Sequence, residues 1–370
     1  MRLTPFGVER WFDAHEARAR YNIAESCARP LGLDELLRIA GAAPRPNTRL
    51  GYQPSAGRAD LRASIAALYP GASADDVLVT VGAIEANFLA LSALAAPGDR
   101  VIALVPTYQQ LYEVPRAQGA RVDFWQLGLE DAWRPDLDAL RRLLREPASL
   151  VVVNFPNNPT GVAVDRSFLA DLAGLCRERG ALLYSDEVYR GLRLRGEIGQ
   201  PSAWEVAPGE CVVVGSLSKA YGLPGLRIGW LLAPPDVRRR AHEIREYTSI
   251  SSSAISEELA LLALGARERI LTLQREHALA NLRLVEDCLA ASDGRLSWTS
   301  PDEGVVGFVR YRASLPSREL GRRLVDEAST LVVPGECFGV EGHFRLGFGY
   351  ETPTLAAGLD RLSHLVAALD

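Results

Sequence analysis

Lysine is almost absent from this sequence. Lys and Arg together total 41 residues, and reading along the chain finds a single lysine, Lys219, so the other cations are arginine (41 − 1 = 40). A coding bias toward arginine accounts for the missing lysines but not for the one that remains. Arginine stays charged in proteins, so it cannot replace a lysine that must lose its proton. Lys219 is therefore a candidate for amine chemistry.

Other absences exclude several classes of protein. No stretch approaches the roughly 18 apolar residues of a membrane span, and residues 1–16 are too polar and acidic for a signal peptide, so we expect a cytoplasmic location. The formal net charge is −5 and no basic stripe stands out, which argues against a nucleic-acid partner. The five histidines and five cysteines lack metal-ligand spacing, and we predict no metal and no disulfide frame. The cysteines are Cys27, Cys176, Cys211, Cys288 and Cys337.

From Val77 onward, short β-branched runs alternate with amphipathic stretches, a pattern typical of βαβ units and a sheet with helices on both faces. The predicted strands are Val77–Thr80, Arg100–Leu104, Val122–Gln126, Leu150–Phe155, Ala181–Ser185, Cys211–Ser216 and Arg227–Leu232. The predicted helices are Ala83–Ala96, Gln109–Ala117, Leu137–Arg145, Arg166–Arg179, Ala254–Gly265 and Glu268–Ala291.

The pattern changes after residue 290 to that of an α+β segment. Its predicted strands are Leu296–Thr299, Val305–Arg310, Thr330–Val333 and Phe344–Phe348, and its predicted helices are Arg318–Ala328 and Thr354–Ala368. Residues 1–45 are helical in pattern and then rich in proline, with Pro44 and Pro46 bracketing a linker. We therefore predict a large domain over residues 46–290 and a small domain built from residues 1–45 and 291–370.

The strongest motif surrounds the single lysine. Ser216 and Ser218 precede Lys219, and Arg227 follows eight positions later. This arrangement suits a covalent aldehyde cofactor that carries a phosphate, because the amine forms the imine while hydroxyls and guanidinium hold the phosphate. The alternative is an ordinary strand and turn with incidental charge.

Polar residues also follow two predicted strands. Asn158, in the turn that ends at Gly161, could donate to a phenolic oxygen of the cofactor, although this turn chemistry also suits a purely structural loop. Asp186 could pair with a protonated pyridine nitrogen and keep the ring an electron sink, with Tyr189 beside it. A capped strand end with a core tyrosine is the alternative for this pair.

Two weaker signals come earlier in the chain. Gly82, Ala83 and Ile84 open a predicted helix after a strand, where free backbone N–H groups form an anion site. Tyr108 begins another predicted helix and could stack on the pyridine ring, although an aromatic residue at such a position is commonly part of the core.

Taken together, these residues resemble the class I/II aminotransferases, the fold-type I enzymes that depend on pyridoxal phosphate. The ordered match consists of Tyr52, Gly82 with Ala83, Tyr108, Asn158 to Gly161, Asp186 with Tyr189, Ser216 to Lys219, Arg227 and Arg345. The resemblance implies an α/β fold whose large domain holds a mostly parallel seven-stranded sheet between helices, next to a smaller α+β domain. It also implies a homodimer with shared active sites.

The resemblance further implies a role for each matched residue. Lys219 forms the Schiff base and moves the proton, and Asp186 sits on the pyridine nitrogen. Asn158 and Tyr189 hold the phenolic oxygen, and Arg345 binds the substrate α-carboxylate, with Asn158 as a further candidate substrate contact. The phosphate is held by Gly82, Ala83, Ser216, Ser218 and Arg227, with Tyr52 reaching it from the neighbouring subunit, and Ile84 is a further candidate cofactor contact.

The reaction beyond the first imine stays open between two alternatives. Transamination of an α-amino acid is the leading hypothesis. The segment from Pro5 to Ser26, however, resembles the branch of the family that contains capreomycidine synthase-like hydroxyarginine cyclases, which act as lyases. In that segment Glu9 and Ser26 are candidate substrate contacts. Carboxylates that could pair with a guanidinium, or form a solvated helix face instead, are Glu9, Asp13, Glu16 and Glu25.

A hypothesis from another class is a transcription regulator that binds pyridoxal phosphate. Such proteins carry this fold behind a DNA-binding domain, and we find no helix-turn-helix or basic arm ahead of the fold. The enzyme is therefore the favoured interpretation.

Overall fold

The computed structural model describes residues 2–42, 49–196 and 199–369. Its strands are β1 (Tyr21–Asn22), β2 (Val77–Val81), β3 (Arg100–Val105), β4 (Arg121–Gln126), β5 (Leu150–Asn154), β6 (Leu182–Asp186), β7 (Cys211–Ser216), β8 (Ile228–Leu232), β9 (Leu296–Ser297), β10 (Val306–Tyr311), β11 (Thr330–Leu331), β12 (Val333–Pro334) and β13 (His343–Gly347). Its α-helices are α1 (Gly7–His15), α2 (Leu33–Ala40), α3 (Ala59–Ala66), α4 (Gly82–Leu94), α5 (Gln110–Ala117), α6 (Leu137–Leu143), α7 (Arg166–Glu178), α8 (Pro235–Arg245), α9 (Ala254–Gly265), α10 (Arg267–Ala290), α11 (Ser317–Ala328) and α12 (Thr352–Ala367).

The main sheet has seven strands in the order β2-β8-β7-β6-β5-β3-β4. Only β8 runs against its neighbours, pairing antiparallel with both β2 and β7, while the other pairs are parallel. This confirms the predicted α/β fold with a mostly parallel sheet. The seven strands predicted for this sheet are all present, and each end lies within one residue of its predicted position.

Helices cover both faces of this sheet, and the alternation of strand side chains explains why. On β5, Leu150 and Val152 belong to one apolar cluster with α4, α5 and α8, whereas Val151 and Val153 belong to the other cluster with α7. Because both faces are buried, the strands read as continuous apolar runs in the sequence. Helix α3, which the sequence pattern did not single out, packs against β2 and α9.

A second, antiparallel sheet has the order β12-β13-β10-β9, and β1 pairs in parallel with β11. The prediction of one strand over Thr330–Val333 is therefore wrong, because the strand is interrupted at Val332 and its two parts join different sheets. The carbonyl of Val332 accepts a hydrogen bond from the Trp11 indole at 2.7 Å, which anchors α1 at the break.

The pairing of β1 with β11 brings the N-terminal segment onto the C-terminal one, as the proposed small domain requires. The boundaries of the two domains stay a prediction. The linker between Pro44 and Pro46 lies outside the described residues. Of the helices in the described ranges, none has the length and apolar character needed to cross a membrane.

Candidate active site

The carboxyl ends of three adjacent parallel strands meet at one edge of the main sheet. Asn154 ends β5, Asp186 ends β6 and Ser216 ends β7, and Asn154 is in register with Asp186. Open α/β sheets bind ligands at this edge, because the connections leave a crevice there. A cavity of about 470 Å³ opens at this point.

Most of the predicted site residues line this cavity. They are Glu9, Ser26, Ala83, Ile84, Tyr108, Asn158, Asp186, Tyr189, Ser216, Ser218, Lys219, Arg227 and Arg345. Gly82 precedes the lining residue Ala83, and a Cβ added to it would meet the guanidinium of Arg227. Tyr52 lies apart, with 85% of its surface exposed in the single chain. Their roles in binding and catalysis remain proposals.

Lys219 projects into the cavity from the loop after β7, and its Nζ donates to Ser26 Oγ at 2.8 Å. Cys27 Sγ is 3.6 Å from the same nitrogen, and the Tyr189 ring centroid is 5.8 Å away. Burial opposes the charged form of the amine, whereas Cys27, Tyr189 and Tyr108 favour it, and the pKa of Lys219 lies above its usual value. Ser26 thus holds the charged Lys219 amine, and such an amine would have to release a proton before it could attack a carbonyl.

Two glycines explain how Ser26 and Cys27 reach this lysine. A Cβ on Gly347 would lie 1.6 Å from the Glu25 carbonyl oxygen, and one on Gly349 would lie 2.2 Å from that of Cys27. The segment therefore crosses directly over the end of β13, where only glycine leaves room. The Ala28 N–H then donates to the Lys219 carbonyl at 2.9 Å, which ties the segment to the lysine loop.

Asp186 is buried at the floor of the cavity. Its Oδ2 accepts a hydrogen bond from Asn87 Nδ2 at 2.8 Å, and its Oδ1 accepts one from the Val188 N–H at 3.2 Å. Burial raises the pKa of Asp186 to about 6, although these two donors and Lys219 oppose the rise. A partner cation at this carboxylate would favour its ionised form.

Arg345 is a buried cation whose known partners are neutral. Its guanidinium donates to Asn158 Oδ1 at 3.1 Å and to the Ala24 carbonyl at 2.9 Å, and it is only 2% exposed. Its Nε has no hydrogen-bond partner among the described residues. A buried charge of this kind needs an anion, and a carboxylate matches the guanidinium fork. Because Asn158 accepts through its oxygen, its amide N–H groups stay free to donate.

The start of α4 forms a cradle that excludes side chains. A Cβ on Gly82 would lie 2.4 Å from Arg227 Nη2, and one on Gly229 would lie 2.4 Å from the Ala83 nitrogen. Arg227 itself adopts a left-handed φ of 53° just before β8, which turns it toward Gly82. Backbone N–H groups, a guanidinium and the hydroxyls of Ser216 and Ser218 thus surround the same end of the cavity.

These groups fit pyridoxal phosphate. The cradle at α4 suits the phosphate, the buried carboxylate of Asp186 suits the pyridine nitrogen, and the Lys219 amine suits the aldehyde. Among the described residues, no group of three or more histidine, cysteine and carboxylate side chains is arranged to hold a metal ion.

Four carboxylates line the mouth of the same cavity. Glu9 and Asp13 lie on α1, Glu16 lies in the 3-10 turn after it, and Glu25 lies in the segment before Ser26. Asn22 Nδ2 bridges Glu16 Oε1 at 3.1 Å and Glu25 Oε1 at 3.4 Å. Burial, followed by the charge of Glu25, raises the pKa of Glu16.

Tyr108 joins this acidic rim to the cavity wall. Its hydroxyl donates to Glu9 Oε1 at 3.3 Å, and its ring packs on Phe6 with centroids 4.8 Å apart. Burial, followed by the charge of Glu9, raises the pKa of Tyr108 above its usual value. The residue precedes α5 instead of beginning it, since the helix starts at Gln110.

Four further residues are not predicted from the sequence. Cys27, Asn87 and Asn154 also line the cavity, and Asn22 bridges two of the carboxylates at its mouth. Asn87 carried a usable signal, because it is a polar residue on the buried face of the apolar helix α4. Asn22 carried none, since a lone asparagine in a short strand has no distinguishing pattern.

Comparisons with known proteins also indicate pyridoxal phosphate as the cofactor. The model of the family "Aminotransferase class I and II" matches residues 31–362. Capreomycidine synthase of Streptomyces vinaceus is 34% identical over 96% of this chain and 92% of that protein. An arginine–pyruvate transaminase of Pseudomonas aeruginosa is 30% identical over 80% of this chain and 76% of that protein. The crystal structure of a PLP-dependent aminotransferase from Streptococcus suis has a TM-score of 0.95 and 38% identity, and covers 100% of this chain and 99% of that one.

Proposed function

Because the chain belongs to the class I and II aminotransferases, which use pyridoxal phosphate, we propose that it transfers the amino group of an α-amino acid whose side chain carries a positive charge. One observation carries the choice of substrate. The cavity that holds Lys219 and Arg345 also bears four carboxylates at its mouth. A substrate with a carboxylate at one end and a cation at the other matches both sets of groups.

The acidic rim is a single surface of the N-terminal segment. Glu9, Asp13 and Glu16 are spaced four and three residues apart, which puts them on one face of α1 and the turn after it. Like charges at this spacing repel each other by a few tenths of a kcal/mol. None of the four carboxylates forms an ion pair with an arginine in the described part of the chain, so a bound cation would relieve this repulsion.

Each residue has a distinct task in the proposed reaction. Pyridoxal phosphate, when bound, supplies an aldehyde for the amine and a ring that accepts electrons from the substrate Cα. Lys219 holds and moves the proton at Cα, with Ser26 orienting its Nζ. Arg345 binds the α-carboxylate in a bidentate pair, and Asn158 fixes the guanidinium from behind.

Arginine and citrulline provide a matched test of the charged side chain, because they share a shape and differ in charge. With pyruvate as acceptor, we expect kcat/KM for arginine to exceed that for citrulline at least about tenfold, as expected for a partly desolvated ion pair. Glu16→Gln should lower the value for arginine and leave that for citrulline unchanged. Glu178→Gln, on the exposed surface of α7, is the control. Equal values for the two substrates would contradict the proposal.

The second candidate is elimination and ring closure of a hydroxylated arginine. The likeness to capreomycidine synthase over nearly the whole length of both chains favours it, and the acidic rim suits a guanidinium in either reaction. The two functions differ in their need for an acceptor. A transaminase without keto acid stops after one turnover per site, whereas a cyclase continues. Sustained turnover of a hydroxyarginine without keto acid would establish the cyclase.

The enzyme is also proposed to act as a cytoplasmic homodimer. Several large apolar side chains are exposed in the single chain, among them Leu50, Tyr52, Tyr247 and Ile250. A second copy would cover them and could place its Tyr52 near the phosphate cradle. All five cysteines are free thiols, which favours a reducing compartment.

A further inference from the structure

A chain of buried hydrogen bonds lies behind Asp186. Tyr184 and Asp186 are two residues apart on β6, so their side chains leave the same face of the sheet. Asn87, on α4, lies between them. The Tyr184 hydroxyl is 2.7 Å from Asn87 Oδ1, and Asn87 Nδ2 is 2.8 Å from Asp186 Oδ2. All three side chains are at least 97% buried.

Tyr184 determines which way the Asn87 amide points. Burial, followed by the nearby Asp186, raises the pKa of Tyr184 well above its usual value. The phenol therefore keeps its proton and donates a hydrogen bond, and the oxygen of Asn87 must be the acceptor. The amide N–H then faces Asp186, where it bonds an oxygen that carries no proton.

The amide therefore favours one protonation state of Asp186. Burial works against the carboxylate, and among the described side chains Asn87 supplies the hydrogen bond that supports it. Other groups near this carboxylate are Lys219 across the cavity, Tyr184 on the same strand and the Val188 N–H. Of these, only Lys219 is a cation, and its amine is the group assigned to the aldehyde.

We propose that Asn87 is a positioning residue for the cofactor: its amide, turned by Tyr184, keeps Asp186 as the carboxylate that binds the ring nitrogen of pyridoxal phosphate. This inference rests on the proposed place of Asp186 at that nitrogen. It does not depend on the substrate or on whether the reaction is transamination or cyclisation.

The test measures binding of pyridoxal phosphate to the apoprotein by equilibrium dialysis between pH 5 and 9. A second ligand is the analogue with C–H in place of the ring nitrogen, which carries the same phosphate and so reports any titration of that group. For the natural chain, the ratio of the affinity for pyridoxal phosphate to that for the analogue should decrease at low pH, because Asp186 takes up a proton. The pH at which this ratio decreases is the pH of the fall. In Asn87→Leu this decrease should occur at a pH about one to two units higher, which is the effect of losing one hydrogen bond to a charged group.

Two further variants separate positioning from a structural role. Tyr184→Phe should move the fall in the same direction by less, and should add nothing in the Asn87→Leu background. Asn281→Leu removes another buried asparagine, which bonds the Phe348 and Tyr350 carbonyls. It should lower the free energy of unfolding and leave the pH of the fall unchanged.

An Asn87→Leu protein whose fall occurs at the same pH as that of the natural chain would overturn the proposal. Asp186→Ala distinguishes the source of such a failure. If this variant loses the preference for pyridoxal phosphate over the analogue, Asp186 is at the ring nitrogen and only the role of Asn87 is wrong. If it keeps the preference, the place of Asp186 is wrong and both proposals fail.

Discussion

At the scale of single residues, Lys219 combines a contact and a chemical property that no other cationic side chain among the described residues offers. Its amine can lose a proton, and it lies 2.8 Å from Ser26 Oγ inside the cavity. Lys219→Arg should abolish activity and the visible absorbance of bound cofactor, because guanidinium does not form the imine. Circular dichroism and the melting temperature test whether the fold survives.

Borohydride reduction adds a readout independent of activity. The sequence holds one lysine, so reduction of the loaded enzyme should label only the peptide that contains Lys219 or, at most, the N-terminal amine. Label elsewhere in the natural chain, or unchanged labelling in the arginine variant, would contradict the assignment.

Glu187 lies next to Asp186 but serves no proposed step. Burial, only partly opposed by Arg190 and the Ala203 N–H, raises its pKa to about 7. A carboxyl group whose pKa is raised by folding favours the folded state at a pH below its pKa in the unfolded chain. This contribution is lost as the pH rises through the folded-state pKa of about 7. Glutamine does not ionise, so the free energy of unfolding of Glu187→Gln minus that of the natural chain should rise by about 2–3 kcal/mol from pH 5 to pH 8.

Urea unfolding of the apoproteins at both pH values gives this difference. Both proteins retain Asp186, so its titration cancels in the comparison. Glu178→Gln on the exposed side of α7 should show no comparable change with pH. If the difference in free energy of unfolding between Glu187→Gln and the natural chain is the same at both pH values, Glu187 ionises normally in the folded state.

At the scale of elements, the phosphate cradle depends on how closely β8 approaches the start of α4. Gly229→Ala would place a Cβ 2.4 Å from the Ala83 nitrogen and from the Gly82 carbonyl carbon, so one element must move. We expect its dissociation constant for pyridoxal phosphate to rise at least about tenfold, the loss of one charge-assisted hydrogen bond. Gly174→Ala in α7, where a Cβ meets nothing within 4 Å, should bind normally. Normal binding by a folded Gly229→Ala protein would exclude the cradle.

Elements of the large sheet could be predicted from sequence, because burial on both faces makes each strand a continuous apolar run. Most residues that line the candidate site could be predicted for a related reason, since Asp186 and Ser216 lie at the ends of such runs and Asn158 lies in the turn after another. The interruption of the strand at Val332 could not be predicted, because a β-branched run is typical of one continuous strand. The Trp11 indole that binds the Val332 carbonyl is 321 residues away in sequence. The Tyr184–Asn87–Asp186 contacts were equally hidden, since they join α4 to β6 across 97 and 99 residues.

At the scale of the whole molecule, the two loops that carry exposed Tyr52 and Tyr247 are held in one arrangement. The fully buried Arg245 donates to the Ser55 carbonyl and, at 2.9 Å, to Ser252 Oγ, which joins the loop after Tyr52 to the loop after Tyr247. Thr248 also donates to Glu85 of α4 at 3.2 Å. Two loops and the start of the cradle helix thus form one surface, which a second copy of the chain could cover.

A hybrid dimer tests whether Tyr52 completes the site of its neighbour. Lys219→Arg and Tyr52→Ala should each be nearly inactive alone. In a mixed dimer, however, one site combines the natural Lys219 of one subunit with the natural Tyr52 of the other. Random pairing makes half of the dimers hybrid, each with one intact site of two, so refolding an equal mixture should restore about a quarter of the natural activity. If Tyr52 instead served its own subunit, no combination would contain an intact site and the mixture would stay inactive.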